Sequence, residues 1–195
     1  IDLSPLDYIA PESAAAAVQL LSEHGELASP LAGGTDLIVD LKHSSGNVQL
    51  LVDVSRLQEF RGIEETTDGL RIGSMVTYGE IMENPICLEK TPAIVAASHT
   101  IGAVQTRNLG TIGGNLVTCV PSADSAPALM VLDAEVTIAG LDGNRRIPIE
   151  DFFIAPRKPN LQPYELLVDI WIPKKAMGKP SNFSKFGLRK GQALA

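Results

Sequence analysis

Apolar and polar positions along the chain follow two periods, and the period changes several times. Residues 11–26, "PESAAAAVQLLSEHGE", read as a helix, with Pro11 at its opening, a run of alanines, and Gly25 where a C-terminal cap belongs. "SPLAGGTDLIVDL", residues 29–41, predicts a short strand, a Gly-Gly turn and helical spacing from Asp36. "QLLVDVS", residues 49–55, is apolar enough for a buried strand. Residues 62–77 alternate as a hairpin with Asp68-Gly69 at the turn. Residues 78–85 and 91–100 read as helices, the second with Pro92 near its start. Residues 125–134 are helical, 135–152 form a second hairpin around Asp142-Gly143, and 164–173 read as a strand. Residues 181–195 open a further strand. Strands and helices mix without strict βαβ alternation, which predicts an α+β fold rather than a doubly wound sheet.

One stretch resists this reading. "LGTIGGNLVT", Leu109 to Thr118, sets three glycines among apolar and β-branched residues that would otherwise form a strand. Glycine weakens a strand unless another backbone or a ligand must come close. A related cluster occurs earlier, at Ala32-Gly33-Gly34-Thr35-Asp36, and the later one centres on Thr111-Ile112-Gly113-Gly114-Asn115. Each sets Gly-Gly beside a hydroxyl and a short polar side chain. Bare backbone of this kind either makes a tight turn, with glycine supplying positive φ, or turns N–H groups into a concavity that holds phosphate oxygens. Two such loops would suit the two faces of a pyrophosphate.

Composition narrows the function classes. The chain has 195 residues, a net charge of −7 and 20% charged residues, with no basic stripe of the kind a nucleic acid needs. No apolar run approaches the ~18 residues of a membrane span, and the first residues lack a basic-then-apolar signal pattern. Cys87 and Cys119 lie far apart and in no CxxC, against a disulfide scaffold or a cysteine zinc site. His24, His43 and His99 have no metal-ligand spacing, so no metal ligand is assigned. A cytoplasmic protein is the expectation. No two glycines lie two apart, so no G-x-G-x-x-G exists, and Gly178-Lys179 lacks the upstream glycine of a P-loop. No nucleophile–base pair can be read from residue order, and no catalytic residue is assigned.

"PLAGGTDLIVDLK", followed by "IGAVQTRNLGTIGGNLVTCVPSADSAPALMVLDAEV", resembles the FAD-binding subunit or domain of the molybdenum hydroxylases, the family of the xanthine dehydrogenases and aerobic carbon monoxide dehydrogenases. The likeness runs from "YIAPESAAAAVQLLSEHG" to "FGLRKGQALA". It implies a two-lobed FAD-binding domain of the vanillyl-alcohol-oxidase type, with lobes at residues 1–55 and 56–176 and the start of a C-terminal α+β domain at 177–195. FAD would lie extended and non-covalent between the lobes, its pyrophosphate between the glycine loops. Leu31, Ala32, Gly33, Gly34, Thr35, Asp36 and Leu37 would wrap the pyrophosphate and ribityl side. Thr111, Gly114 and Asn115 would donate from the second loop through backbone N–H groups and side chains. Ile101 would contact the adenine or flavin region. Asp124 would bind a ribose or ribityl hydroxyl, or else cap the following helix. Leu167 would lie against FAD, or else be strand core. Lys185 would sit near the isoalloxazine, or else be an exposed strand lysine.

The resemblance further implies an electron-transfer flavoprotein component. A molybdopterin-binding large subunit would carry the molybdenum cofactor and the hydroxylation. A small subunit would carry [2Fe–2S] clusters, and electrons would pass through them to FAD and on to NAD+, a quinone or another acceptor. Some relatives hold an inserted iron–sulfur cluster in this subunit, but with Cys87 and Cys119 alone none is expected here. Family members continue past "RKGQALA", so the rest of their C-terminal domain is missing from this chain. A stand-alone flavin oxidase or dehydrogenase is the competing enzyme reading. A nucleotide-binding or assembly module without flavin is the non-enzyme one.

Overall fold

The computed structural model describes residues 6–43 and 47–187. Strands β1 (Asp7–Ile9), β2 (Ala28–Leu31) and β3 (Leu50–Asp53) form a parallel sheet in the order β1-β3-β2. Helix α1 (Ala14–His24) links β1 to β2. Its start is set by Ser13, whose hydroxyl accepts the Ala16 N–H at 3.1 Å, so Pro11 lies outside the helix. Gly25 ends it at φ +55, a conformation open to glycine at little cost. Helix α2 (Leu37–His43) follows the first glycine loop.

A five-stranded antiparallel sheet has the order β4-β5-β10-β6-β7. It contains both expected hairpins, β4 (Ile63–Glu65) with β5 (Gly69–Gly73) and β6 (Glu135–Gly140) with β7 (Gly143–Pro148). The strand β10 (Leu166–Pro173) joins them. Between β5 and β6 run α3 (Tyr78–Glu83), α4 (Pro85–Lys90), α5 (Pro92–Thr100), α6 (Val104–Leu109), α7 (Ile112–Thr118) and α8 (Ser125–Met130). A short hairpin, β8 (Phe153–Ala155) and β9 (Lys158–Pro159), precedes β10. The mixture is the α+β class expected.

Two cores hold the molecule. Leu70, Ile72, Val136, Ile138, Ile170 and Ile172 from the larger sheet pack with Tyr78, Ile81, Ile94, Ile112, Leu116 and Leu129 from the helices. Ala17, Val18 and Leu21 of α1 pack with Leu50 and Val52 of β3, and with Phe60, Met75, Ala139, Leu166 and Val168. The second core therefore joins the parallel sheet to one end of the antiparallel one.

Two open segments resolve as helices, and one expected strand needs correction. "LGTIGGNLVT" is not a strand: from Ile112 it is α7, with Ile112 and Leu116 fully buried one turn apart. Thr111 caps it by accepting the Gly114 N–H at 3.0 Å, and Cys119 closes it in the left-handed region. The helix read over 78–85 ends at Glu83, and residues 86–90, not assigned from the pattern, join Pro85 in α4, started by Asn84, which accepts the N–H groups of Ile86 and Cys87. Residues 181–187 form no strand, and the rest of the expected strand, 188–195, lies outside the described residues.

Candidate functional site

The first glycine loop leaves β2 at the carboxyl edge of the parallel sheet, a position where ligand crevices commonly open. Leu31 anchors its start, accepting the Val54 N–H at 3.0 Å. Gly34 turns the chain at φ +69. Among the described residues, the five successive N–H groups from Gly33 to Leu37 donate to no protein acceptor. A run of unengaged N–H groups at the end of a turn makes an anion-binding concavity.

The second loop lies directly against the first. A Cβ on Gly33 would overlap the carbonyl oxygen of Leu109, so only glycine allows this approach. The body that comes close to the glycines is first the backbone of the other loop. Residues 110–113 are in turn fixed to the segment after β5. Tyr78 N–H donates to Gly110 O at 3.2 Å, Ile112 N–H to Val76 O at 2.9 Å, and Gly113 N–H to Ser74 O at 2.9 Å. Gly113 packs so tightly on Ser74 that a Cβ would meet the Ser74 main chain.

This bonding changes the role of the second loop. The N–H groups of Ile112, Gly113, Gly114 and Asn115 all donate within the chain, the last two to Thr111 Oγ1 and Thr111 O. The backbone donor expected at Gly114 is therefore engaged in capping α7, while the Thr111 N–H donates to no protein acceptor among the described residues. What α7 offers the cleft is a side chain. Ser125 donates to Asn115 Oδ1 at 2.9 Å, and Tyr78 hydroxyl lies 3.1 Å from Ser125 Oγ. With Ser125's proton committed to Asn115, Tyr78 must donate to Ser125, and burial pushes the Tyr78 phenol's pKa far up, keeping it a neutral donor. The relay holds the Asn115 carbonyl inward and leaves its amide N–H₂ as the donor end.

Between the loops opens a cleft of about 620 Å³, within the range of small-molecule and cofactor sites. Ala32, Gly33, Gly34, Thr35, Asp36, Leu37, Ile101, Thr111, Gly114, Asn115 and Leu167 line it. These residues come to one cleft from four separated segments. Leu31 supports the wall from behind, its side chain packed near Gly34. Leu167 is both lining and core, buried at 5% exposure.

Asp124 and Lys185 are not among the lining residues. They pair with each other: Lys185 Nζ lies 2.6 Å from Asp124 Oδ2, which also accepts from Thr100 Oγ1 at 2.9 Å. Asp124 makes no side-chain capping bond to α8 and has helical backbone angles, so the capping alternative does not hold. Lys185 is not an exposed strand lysine either; it lies in a segment without regular structure, with its side chain mostly buried. Thr100, which ties to the pair, immediately precedes Ile101 in the chain.

Sequence reasoning missed Phe60, Ser74, Met75, Tyr78, Thr106 and Gly113 in the lining, and the charged residues Asp40, Arg157 and Glu165. Burial tends to raise the Glu165 carboxyl's pKa. Hydrogen bonds from Arg145 and the Gln162 N–H, with the Arg145 charge, outweigh that and hold it below its usual range. Phe60, Met75 and Tyr78 also belong to the buried cores and gave no separate signal of a cleft wall. No helix among the described residues is long and apolar enough to cross a membrane.

Residues 4–175 match the family described as the FAD binding domain in molybdopterin dehydrogenase. The chain belongs to this family. It is 39% identical over 158 residues to the xanthine dehydrogenase FAD-binding subunit of Escherichia coli O157:H7, a match covering 80% of this chain and 54% of that one. It is 31% identical over 185 residues to the carbon monoxide dehydrogenase medium chain of Hydrogenophaga pseudoflava, covering 95% and 64%. Among solved structures, a carbon monoxide dehydrogenase from Hydrogenophaga pseudoflava that lacks the Mo-pyranopterin moiety of its cofactor superposes with a TM-score of 0.92 at 28% identity. Quinoline 2-oxidoreductase from Pseudomonas putida 86 gives 0.91 at 26%. Both cover all of this chain, and 68% and 67% of the neighbour. The chain spans 54% and 64% of the two sequence relatives' lengths. The cleft of this FAD-binding domain suits its cofactor: a run of free N–H groups for phosphate oxygens, apolar walls at Ile101 and Leu167, and a side-chain amide at Asn115.

Proposed function

We propose that FAD lies extended and non-covalently along this cleft, and that the protein is the FAD-binding electron-transfer subunit of a molybdenum hydroxylase. The observation that carries the reading is the run of unengaged N–H groups from Gly33 to Leu37 in the loop that lines the cleft. These groups hold the pyrophosphate, with Thr35 and Asp36 beside it. Asn115 donates its amide to the cofactor, and Thr111 and Gly114 shape the opposing wall through their cap. Ile101 and Leu167 pack against the ring systems. Asp124 and Lys185 act at the edge of the site, through their pairing beside Thr100, and reach ribityl or ring atoms of the bound cofactor. FAD supplies the exchange between two-electron and one-electron chemistry; the chain binds it, orients it and excludes water.

Residues 1–55 and 56–176 are taken as the two lobes, with 177–195 opening a C-terminal domain. The relatives named as medium chains and FAD-binding subunits support an assembly with a molybdopterin-binding large subunit and a small [2Fe–2S] subunit. Electrons then reach this FAD from the iron–sulfur clusters and leave for NAD+, a quinone or another acceptor. The assembly is placed in the cytoplasm. Native purification tests the reading: the chain copurifies with molybdenum, iron and an equimolar amount of FAD that acid releases. Purification alone, with turnover of an organic substrate by this chain, overturns it.

A further inference from the structure

The cleft holds its anion unevenly. One wall supplies free N–H groups at Gly33–Leu37, while the N–H groups of α7 opposite are all engaged within the chain. A doubly charged pyrophosphate gripped only by neutral donors would face Asp36 and Asp40, both lining the cleft. Glu165 also lines it but is neutralised by Arg145 at 2.9 Å.

Arg157 is the one cationic side chain lining the cleft among the described residues. Its backbone is fixed. It lies at the tip of the β8–β9 hairpin at φ +58, and its N–H donates to Cys119 O, just past α7, at 2.7 Å. Its guanidinium reaches toward α2 and stops 3.8 Å from Asp40, with both side chains largely exposed, at 67% and 58%. An exposed pair at that separation is weak and easily exchanged. Asp40 is one helical turn after Asp36, with its N–H donating to Asp36 O at 2.9 Å. The guanidinium is thus directed toward α2, the helix that follows the free N–H run, from a hairpin tied to the end of α7.

Building on the FAD reading above, we propose that Arg157 is a phosphate-binding residue of this cleft. It exchanges Asp40 for a pyrophosphate oxygen when the dinucleotide enters. A guanidinium presents paired N–H donors to phosphate and carries a fixed positive charge, which the neutral Asn115 amide and Thr111 N–H opposite do not supply. Asp40 is the resting partner, keeping the guanidinium aimed along the cleft.

Calorimetric titration of the chain tests this, with FAD and riboflavin as probes and with Arg157→Ala, Arg157→Lys and Asp40→Asn as variants. Arg157→Ala weakens FAD about ten- to a hundredfold, leaves riboflavin, which has no phosphate, unchanged, and keeps the melting temperature. Arg157→Lys recovers part of the loss. Asp40→Asn binds FAD as tightly as the parent or tighter, because it removes a competing carboxylate. Equal FAD affinity in Arg157→Ala overturns the inference while leaving the FAD reading intact. So does an equal loss for riboflavin, or a loss in Asp40→Asn matching that in Arg157→Ala, since either makes the pair a structural tie. A parent chain that binds riboflavin but shows no preference for FAD overturns the pyrophosphate reading and this inference together.

Discussion

Gly33 lies against the carbonyl of Leu109, and no side chain fits between them. This contact, across more than seventy positions of sequence, sets the two glycine loops side by side and fixes the width of the cleft. Gly33→Ala must push the loops apart. Overpacking of this kind costs about 1–3 kcal/mol, and for a domain of this size each kcal/mol lowers Tm by roughly 2–4 °C. FAD affinity falls with it. Thermal melting and flavin titration on one sample check both.

Thr111 and Gly114 form a cap, so their variants act on the fold before any ligand is present. Thr111→Ala lowers stability by about 0.5–2 kcal/mol, and Thr111→Ser largely preserves it. A Cβ at Gly114 would come within 2.9 Å of Thr111 Oγ1, so Gly114→Val breaks the same cap and lowers the melting temperature of the flavin-free protein. Melting curves in the absence of FAD settle this. An unchanged Tm in Gly114→Val would show that its N–H is free for ligand.

Asp124 and Lys185 contribute unequally, although they share one contact. Lys185 sits in a segment without regular structure and can swing to water when its partner is lost. Asp124 is 8% exposed and fixed in the wall beside Thr100. Lys185→Ala strands a buried carboxylate and costs about 3 kcal/mol, whereas Asp124→Ala costs about 1 kcal/mol. Urea midpoints of the two variants give the order. Asp124→Ala also exposes residues 177–187 to trypsin.

Glu165 makes stability depend on acid. Its folded carboxyl titrates below its ordinary value of 4.5, so it stabilises the fold above that value and loses the contribution as pH falls through the lower, folded one. Glu165→Gln therefore destabilises the protein near neutrality by about 1–2 kcal/mol, a figure reduced by the exposure of Arg145. The difference from the parent shrinks below the carboxylate range. Denaturation midpoints at neutral and acid pH measure it.

By itself, the sequence determined the α+β class, both hairpins with their Asp-Gly turns, helix α1 up to Gly25, and the pairing of the two glycine clusters. These are local matters of period, turn chemistry and backbone freedom. It left "LGTIGGNLVT" unassigned, because β-branched residues around glycine resemble a weak strand. The one-turn spacing of Ile112 and Leu116 behind Thr111 was the helical signal. Packing decided the outcome, because the bare face at Gly113 lets α7 press against Ser74, which offsets the low helix propensity of glycine. Only the tertiary structure showed that the N–H groups of α7 are engaged while those of Gly33–Leu37 are not. Asp124 and Lys185 lie 61 residues apart, and their pairing likewise appears only in the fold. The same holds for Arg157, a residue in an unremarkable turn between two prolines, which reaches the cleft because the β8–β9 hairpin is tied to Cys119. Hydrogen-bond partnership and charge placement are relations between distant segments, and the order of residues does not encode them locally.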